Sequence, residues 1–197
     1  KSNKILQLLK KYPKKLFFID ESFIDFSDNV SISDINGSDQ CDNFIIIKSM
    51  SKSHGFPGVR LGYVYSNNKV LINKIKFSLP VWNFNSIAEY FLEIMLKYRN
   101  QFDESIQKTI KDRGKFIFEL KSQNWVINVF DSGADFVLVE TDKKILNLID
   151  SLIDDYSIYI RDISSKFNDQ KTYFRFAVRS NNENMMVINV INKYLVK

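Results

Sequence analysis

The sequence has very little cysteine, glycine or proline. Its 197 residues include one cysteine, six glycines and three prolines. A single cysteine cannot form an intrachain disulfide, which excludes a disulfide-stapled secreted scaffold. So little glycine and proline excludes collagen-like and proline-rich sequences. We expect a reducing, cytoplasmic setting in which Cys41 is a free thiol.

Long apolar runs and clustered positive charge are also lacking. No apolar segment approaches the roughly 18 residues of a membrane-spanning helix, and the N-terminal residues lack a signal-peptide cleavage site. The 28 basic and 23 acidic residues are interspersed, with a formal net charge of +5. A nucleic-acid-binding surface would concentrate basic residues on one element. We expect no membrane, nucleic-acid or metal partner, and the modest positive charge suits anionic ligands.

The apolar residues, 45% of the chain, form segments typical of an α/β protein. Residues 16–20, 44–49 and 61–66 are short, nearly continuous apolar runs, the pattern of strands buried on both faces of a parallel sheet. Apolar residues at helical spacing predict helices over 4–11, 68–77 and 85–122.

The pattern changes after about residue 124, where short predicted strands alternate with helices. We therefore predict an end portion of a larger α/β domain with mainly parallel strands over 1–84, connecting helices over 85–124, and a small α+β domain over 125–197. The predicted strands of the last part are 125–130, 135–140, 158–163 and 173–180, and its helices are 143–156 and 182–195. Three apolar strands make a small sheet with open edges, so we expect the first part to belong to something larger.

The segment richest in reactive side chains is KSMSKSHGFPGVRLGY, residues 48–63, at the end of the second predicted strand. Ser49 and Ser51 precede Lys52, and Arg60 stands just before the next strand. Hydroxyls and a guanidinium suit a phosphate, which arginine binds through two parallel hydrogen bonds. A lysine beside a second cation has a lowered pKa, which suits Schiff-base chemistry. A polar turn with an incidental lysine is the alternative on these residues alone.

An acid ends the first predicted strand. Asp20 lies within FIDESFIDF, residues 18–26, and ligand-facing residues of α/β sheets lie at strand ends. A buried carboxylate there needs a cation. Asp20 precedes Lys52 by about one strand–loop–strand unit, so the two strand ends can share one crevice. The alternative role for Asp20 is a helix cap or a loop anchor.

Together these two segments resemble the fold-type I pyridoxal 5′-phosphate (PLP) enzymes of the class I and II aminotransferase superfamily. The shared pattern is an acid after an apolar strand, then S-x-S-K, then an arginine before LGY. The resemblance implies that Lys52 forms a Schiff base with PLP and that Asp20 pairs with the pyridine nitrogen. It also implies that Ser49, Ser51 and Arg60 hold the phosphate, and that 1–84 is part of the PLP-binding large domain.

Further segments are similar to the branch of histidinol-phosphate aminotransferases and threonine-phosphate decarboxylases. DESFIDF resembles DEAFIDF, and three other segments resemble PW-x-VN-x-A, IRDCS and IRIAVR-x-x-EEN: residues 80–89, 159–164 and 174–184. Many aminotransferases of this branch have tyrosine at the position of Phe23, and its hydroxyl contacts the cofactor. Phenylalanine cannot donate that hydrogen bond, so Phe23, expected beside the cofactor, favours the decarboxylase-like group.

Two arginines are candidates for binding the substrate. Arg161 and Arg175 lie on consecutive predicted strands, and two guanidiniums suit a substrate with two anionic groups. The resemblance implies that Arg175 binds the substrate carboxylate and that Arg161 supports a second anion such as a phosphate. The alternative for Arg161 is a surface salt bridge with Asp155 or Asp162.

Other conspicuous residues are assigned structural roles. His54, the only histidine, is expected to pack the loop, because the family moves protons with the lysine. Asn85 is expected to cap a helix. Trp82 and Trp125 are expected in the core.

The resemblance implies a PLP-dependent decarboxylase or aminotransferase for a small, phosphorylated amino acid, working as a homodimer. Two alternatives stay open: a noncatalytic or regulatory oligomerisation module that retains the fold, and a nucleotide- or sugar-phosphate-binding protein using the same loop. The glycine-rich phosphate turn and the ring-stacking aromatic of the family lie upstream of the acid, and Asp20 stands too early for them. We therefore expect the C-terminal portion of a longer polypeptide, with little PLP turnover alone.

Overall fold

The computed structural model describes residues 2–195 as two compact units, divided between Glu104 and Ser105. We call them unit 1 and unit 2 and describe each by itself. Unit 1 contains α1 (Ser2–Lys11), β1 (Phe17–Asp20), β2 (Phe44–Ser49), α2 (Met50–Ser53), β3 (Gly62–Tyr65), α3 (Lys69–Ser78), α4 (Ser86–Lys97) and the start of α5 (Arg99–Lys121). The remainder of α5 belongs to unit 2.

The sheet of unit 1 has the strand order β1-β2-β3. β1 runs parallel to β2, with Asp20 opposite Ile47, whereas β3 runs antiparallel, with Gly62 opposite Ser49. The carboxyl ends of β1 and β2 and the beginning of β3 therefore meet at one edge of the sheet.

The predicted α/β class is confirmed, but burial of the strands was overestimated. The predicted strand 44–49 is β2 without change, and its residues 44–46 are buried. β1 alternates between half-buried and exposed residues, and all four residues of β3 are exposed. The prediction of mainly parallel strands holds for the β1–β2 pair and fails for β3. An apolar run indicates a strand but not whether the rest of the chain covers both its faces.

The core of unit 1 lies between α1 and the sheet. Leu9 of α1 packs with Ile32, Cys41, Phe44 and Ile46, all buried. A helix leaves its last carbonyls without partners inside the helix. The Asn43 side-chain amide donates to three carbonyls at this helix end, those of Leu9, Tyr12 and Lys15, at 3.0–3.1 Å.

The elements of unit 2 after α5 are β4 (Val126–Val129), β5 (Phe136–Thr141), α6 (Ile149–Tyr156), β6 (Arg161–Asp162), β7 (Thr172–Ala177) and α7 (Asn181–Leu195). Its four strands form an antiparallel sheet of order β4-β5-β7-β6, with helices packed on it. The core of unit 2 contains residues from the end of α5, from the sheet and from α7, and it includes Trp125 as predicted.

Asn85 Oδ1 accepts from the Ala88 N–H and begins α4, as predicted. The helices predicted over 85–122 are α4 and α5, and the break between them falls at Tyr98. Trp82, expected in the core, is 90% exposed. Within residues 2–195, no helix is both long and apolar enough to span a bilayer.

We predict that Asn43→Ala lowers the free energy of unfolding by about 1–3 kcal/mol, since buried carbonyls would lose their donor. Urea unfolding followed by circular dichroism measures this. Asn36→Ala removes the same side chain at an exposed position and is expected to change stability by less than about 0.5 kcal/mol. Equal effects of the two substitutions would contradict the assigned role of Asn43.

Candidate functional site

The candidate residues of unit 1 lie on segments that meet at one edge of its sheet. Asp20 ends β1, Ser49 ends β2, and Lys52 lies in α2 immediately after β2. Arg60 precedes β3, which begins opposite Ser49. This topology brings the predicted acid, lysine and phosphate-binding segments to one sheet edge.

Asp20 shapes the turn that follows β1. Its Oδ1 accepts hydrogen bonds from the backbone N–H and the hydroxyl of Ser22, at 2.9 and 2.5 Å. The Ser22 hydroxyl oxygen in turn accepts from the Ser49 N–H at 3.0 Å. One hydroxyl thus connects the end of β1 to the end of β2. Asp20 itself is exposed, so its carboxylate is accessible to a ligand.

Lys52 lies on the single-turn helix α2 between two buried serines, Ser51 and Ser53. Lys52 is exposed. Among the interactions of residues 2–195, no ion pair or hydrogen bond involves Lys52 Nζ. The backbone of α2 is tied to the approach to β3, because the Met50 N–H donates to the Leu61 carbonyl at 3.0 Å. The amine is therefore available to a small molecule, on a backbone that is held in place.

Arg60 adopts an unusual backbone conformation, with φ of 60° and ψ of 39°. This left-handed region is uncommon for residues other than glycine. The guanidinium of Arg60 donates to the Pro57 carbonyl at 3.2 Å and is otherwise exposed. The fold therefore accommodates a strained arginine while leaving most of its donors accessible.

A cavity of about 510 Å³ opens at this edge of unit 1, a size typical of small-molecule sites. Its wall combines hydroxyls and three cationic side chains with the apolar face of α3. Gly62 permits a close approach of the chain, since a Cβ there would lie 2.8 Å from the Lys48 carbonyl oxygen. The polar lining residues are Lys48, Ser49, Ser51, Arg60, Lys76 and Asn83.

The residues that line the cavity can be compared with those expected to bind a phosphate-bearing cofactor. Ser49, Ser51 and Arg60, the three predicted phosphate ligands, all line the cavity. Asp20, Phe23 and Lys52 do not, although Asp20 and Lys52 lie on segments at the same sheet edge. The donors fit a phosphate, whereas the residues expected to contact the rest of the cofactor lie outside this lining. No cluster of three or more His, Cys, Asp or Glu side chains suited to a metal occurs in the described part of the chain.

His54 packs the loop, as predicted. Its ring stacks on Phe102 at 4.2 Å between ring centres and meets Phe91 edge-on at 6.0 Å. Its Nδ1 lies 3.2 Å from the Met50 carbonyl and 3.1 Å from the Ser53 hydroxyl. Burial lowers the pKa of His54 from 6.5, against weaker raising effects of the Met50 carbonyl and the Asp25 carboxylate.

Unit 2 places Arg161 and Arg175 directly opposite each other on β6 and β7. Like charges at such a position repel, so an anion between them is favourable. Arg175 lies 4.9 Å from the centre of the Phe136 ring. Arg161 makes no ion pair within residues 2–195. Asp162 accepts from Ser164 and Asp155 from the Tyr194 hydroxyl, so the salt bridges considered as the alternative for Arg161 are not formed.

Sequence reasoning missed two features of the site. The first is the Ser22 bridge, although a serine two residues after an aspartate is a recognisable turn signal. The second is an ion pair between Lys48 Nζ and Asp25 Oδ1, at 2.6 Å. Because these residues are 23 positions apart, no local pattern indicates the pair.

Comparison with known proteins agrees with this geometry. The sequence model of the family described as aminotransferase class I and II matches residues 1–191. An L-serine phosphate decarboxylase of Campylobacter jejuni is 32% identical over 189 residues, which are 92% of this chain and 48% of that protein.

Solved structures show the same likeness. The histidinol-phosphate aminotransferase of Clostridium acetobutylicum superposes with a TM-score of 0.85 and 32% identity, over 96% of this chain and 57% of that one. The L-threonine-O-3-phosphate decarboxylase of Porphyromonas gingivalis gives a TM-score of 0.84 and 28% identity, over 100% and 60%. This chain spans about half the length of these relatives.

The fold and the comparisons define a chain of the PLP-dependent enzyme class. More specifically, it belongs to the class I and II aminotransferase family. The resemblance to the histidinol-phosphate aminotransferase and phosphoamino-acid decarboxylase branch is confirmed. The family's cofactor is PLP, and the hydroxyls and guanidinium that line the cavity of unit 1 are donors suited to its phosphate.

We predict that His54 titrates with a midpoint below 6.5, because burial disfavours the imidazolium. His54 is the only histidine, so one imidazole resonance in a proton NMR titration reports it.

The same lowered pKa makes the unfolded state take up the proton first as the pH falls. The contribution of His54 to stability is therefore complete above about pH 6.5 and is lost as the pH falls through the folded-state pKa. A midpoint at or above 6.5 would show that the ring is not buried between Phe91 and Phe102.

Proposed function

We propose that the protein containing this chain is a PLP-dependent enzyme that decarboxylates or transaminates a small phosphorylated amino acid. The single observation that carries the proposal is the meeting of the Asp20, Lys52 and Arg60 segments at one sheet edge. An acid, an accessible amine and a phosphate-binding cavity correspond to the three anchor points of PLP. Family membership supports the same function.

Each residue then has a distinct role. Lys52 would hold the cofactor through its amine and would move protons at the substrate. Asp20 holds the proton on the pyridine nitrogen, and Ser49, Ser51 and Arg60 bind the phosphate. Bound PLP supplies an electron sink for the charge left on the substrate Cα.

The substrate is proposed to carry two anionic groups. Arg175 and Arg161 lie opposite each other, and no carboxylate pairs with Arg161 in the described part of unit 2. In this proposal Arg175 binds the substrate carboxylate and Arg161 the phosphate. The relatives in the comparison are named for a phosphorylated amino acid or for histidinol phosphate, which supports a phosphorylated substrate.

Decarboxylation is the favoured outcome within this proposal. Phe23, half-buried in the turn after β1, has no hydroxyl to donate to the cofactor. The RDIS segment beginning at Arg161 resembles that of the decarboxylase-like group. The orientation in which these residues would hold the substrate would select between the two reactions. A noncatalytic role is the second candidate, and the retention of Asp20, Lys52 and Arg60 argues against it.

We further propose the assembly and location expected from the sequence. The division into a PLP-binding part over 1–84, connecting helices over 85–124 and a small domain over 125–197 is retained. A homodimer in the cytoplasm is also proposed. Support for a second subunit comes from large apolar side chains on unit 1 that are at least 90% exposed: Phe77, Val81 and Trp82.

We predict that Lys52→Ala abolishes covalent capture of PLP by the full-length protein. Borohydride reduction in the presence of PLP, followed by peptide mass mapping, identifies the labelled lysine. Turnover is expected to fall at least about a hundredfold, as for loss of a group that transfers protons. Lys74→Ala, at an exposed position of α3, is the matched control and is expected to leave labelling intact. Labelling that persists in Lys52→Ala would refute the assignment.

We predict that Arg175 and Arg161 each bind a different anionic group of the substrate. Arg175→Met is expected to lower kcat/KM about ten- to a hundredfold for phosphoserine and for serine alike, through loss of a charged hydrogen bond. Arg161→Met is expected to do so for phosphoserine alone. An unchanged preference for phosphoserine in Arg161→Met would contradict the proposed role of Arg161.

A second experiment distinguishes decarboxylation from transamination. Released CO2 and keto acid are assayed with phosphoserine and with phosphothreonine as substrates.

A further inference from the structure

The ion pair between Lys48 and Asp25 is the most buried pair in unit 1. Lys48 Nζ lies 2.6 Å from Asp25 Oδ1, and the two side chains are 15% and 20% exposed. Removing charges from water is costly, and a buried pair is weak evidence of added stability. Its presence beside the cavity therefore points to a role in arranging the site.

The pair connects the two segments that carry the candidate site. Asp25 lies in a short 3₁₀ turn, Ile24–Phe26, a few residues after Asp20. Lys48 directly precedes Ser49 near the end of β2 and lies four residues before Lys52 in the chain. A second connection, from the Ser22 hydroxyl to the Ser49 N–H, joins the same two segments. Two independent contacts therefore fix the turn after β1 against the end of β2.

The connection depends on both charged side chains, because each is the partner of the other in the ion pair. Lys48 lines the cavity, whereas Asp25 lies outside its lining. The second carboxylate oxygen, Asp25 Oδ2, is buried and accepts no hydrogen bond within residues 2–195. Removal of Lys48 would leave this carboxylate without its cation, which favours rearrangement of the turn.

We propose that Asp25 and Lys48 are positioning residues that hold the Asp20 turn and the Lys52 segment in register for cofactor binding. This inference rests on the proposed function, because the register matters only if both segments bind one ligand. The pair acts through the backbone of Ser49 and α2 and contacts no reacting atom itself.

The test uses the full-length protein with Asp25→Asn, Lys48→Met and the conservative Lys48→Arg. Hydrogen–deuterium exchange of the amides of residues 49–53, without PLP, reports the order of the segment. PLP titration reports its binding. Asp25→Asn and Lys48→Met are expected to accelerate exchange and weaken PLP binding about tenfold or more. Lys48→Arg, which keeps the charge, is expected to restore both to within about threefold.

Lys171→Met is the matched control. It breaks another ion pair, Lys171 Nζ to Glu140 Oε1 at 2.9 Å, and also leaves a nearly buried carboxylate without a cation. That pair lies in unit 2, so exchange at residues 49–53 is expected to stay unchanged. The stability of every variant is measured by urea unfolding, alongside amide exchange and PLP binding.

Three results would overturn the proposal: wild-type exchange and PLP binding in Asp25→Asn, equal effects in Lys171→Met, or failure of Lys48→Arg to restore order. Failure of the proposed function is distinguishable from these. In that case the wild-type protein captures no PLP, and accelerated exchange in Asp25→Asn shows only that the ion pair orders residues 49–53.

Discussion

The parallel pairing of β1 with β2 is the constraint on which unit 1 depends. With Asp20 opposite Ile47, both strands end at one edge, and the chain leaves each strand into a segment with a reactive side chain. A shift by one residue would turn every side chain of β1 to the other face. The same shift would separate the Ser22 hydroxyl from the Ser49 N–H. Correct register is thus a condition both for the core around Phe44 and for the candidate site.

Each of the two units, taken by itself, carries side chains that suit an anion. Unit 1 offers hydroxyls and one strained arginine around a cavity, a set suited to a phosphate held in a fixed place. Unit 2 offers two facing guanidiniums on a short strand pair, and Arg175 lies against an aromatic ring. Arginine is suited to this because its planar group both stacks and forms paired hydrogen bonds.

The features predicted from the sequence depend on residues close together in the chain. The features that were missed depend on residues far apart in the chain. β2 and the Asn85 cap are local patterns, and the structure places both as expected. The exposure of β3 and Trp82 was not predictable, because the sequence of an apolar segment is the same whether or not another surface covers it. The Lys48–Asp25 pair joins distant positions through the sheet register. Such pairs follow only from knowing which strands are neighbours.

The exposed position of β3 affects how this chain can associate with other strands. In the described sheet it is an edge strand, and Tyr63, Val64 and Tyr65 are each at least 40% exposed. An uncovered edge with apolar side chains is a template for pairing with strands of other molecules. The free edge of β3 can therefore accept a further strand, and its exposed apolar side chains suit a covering surface.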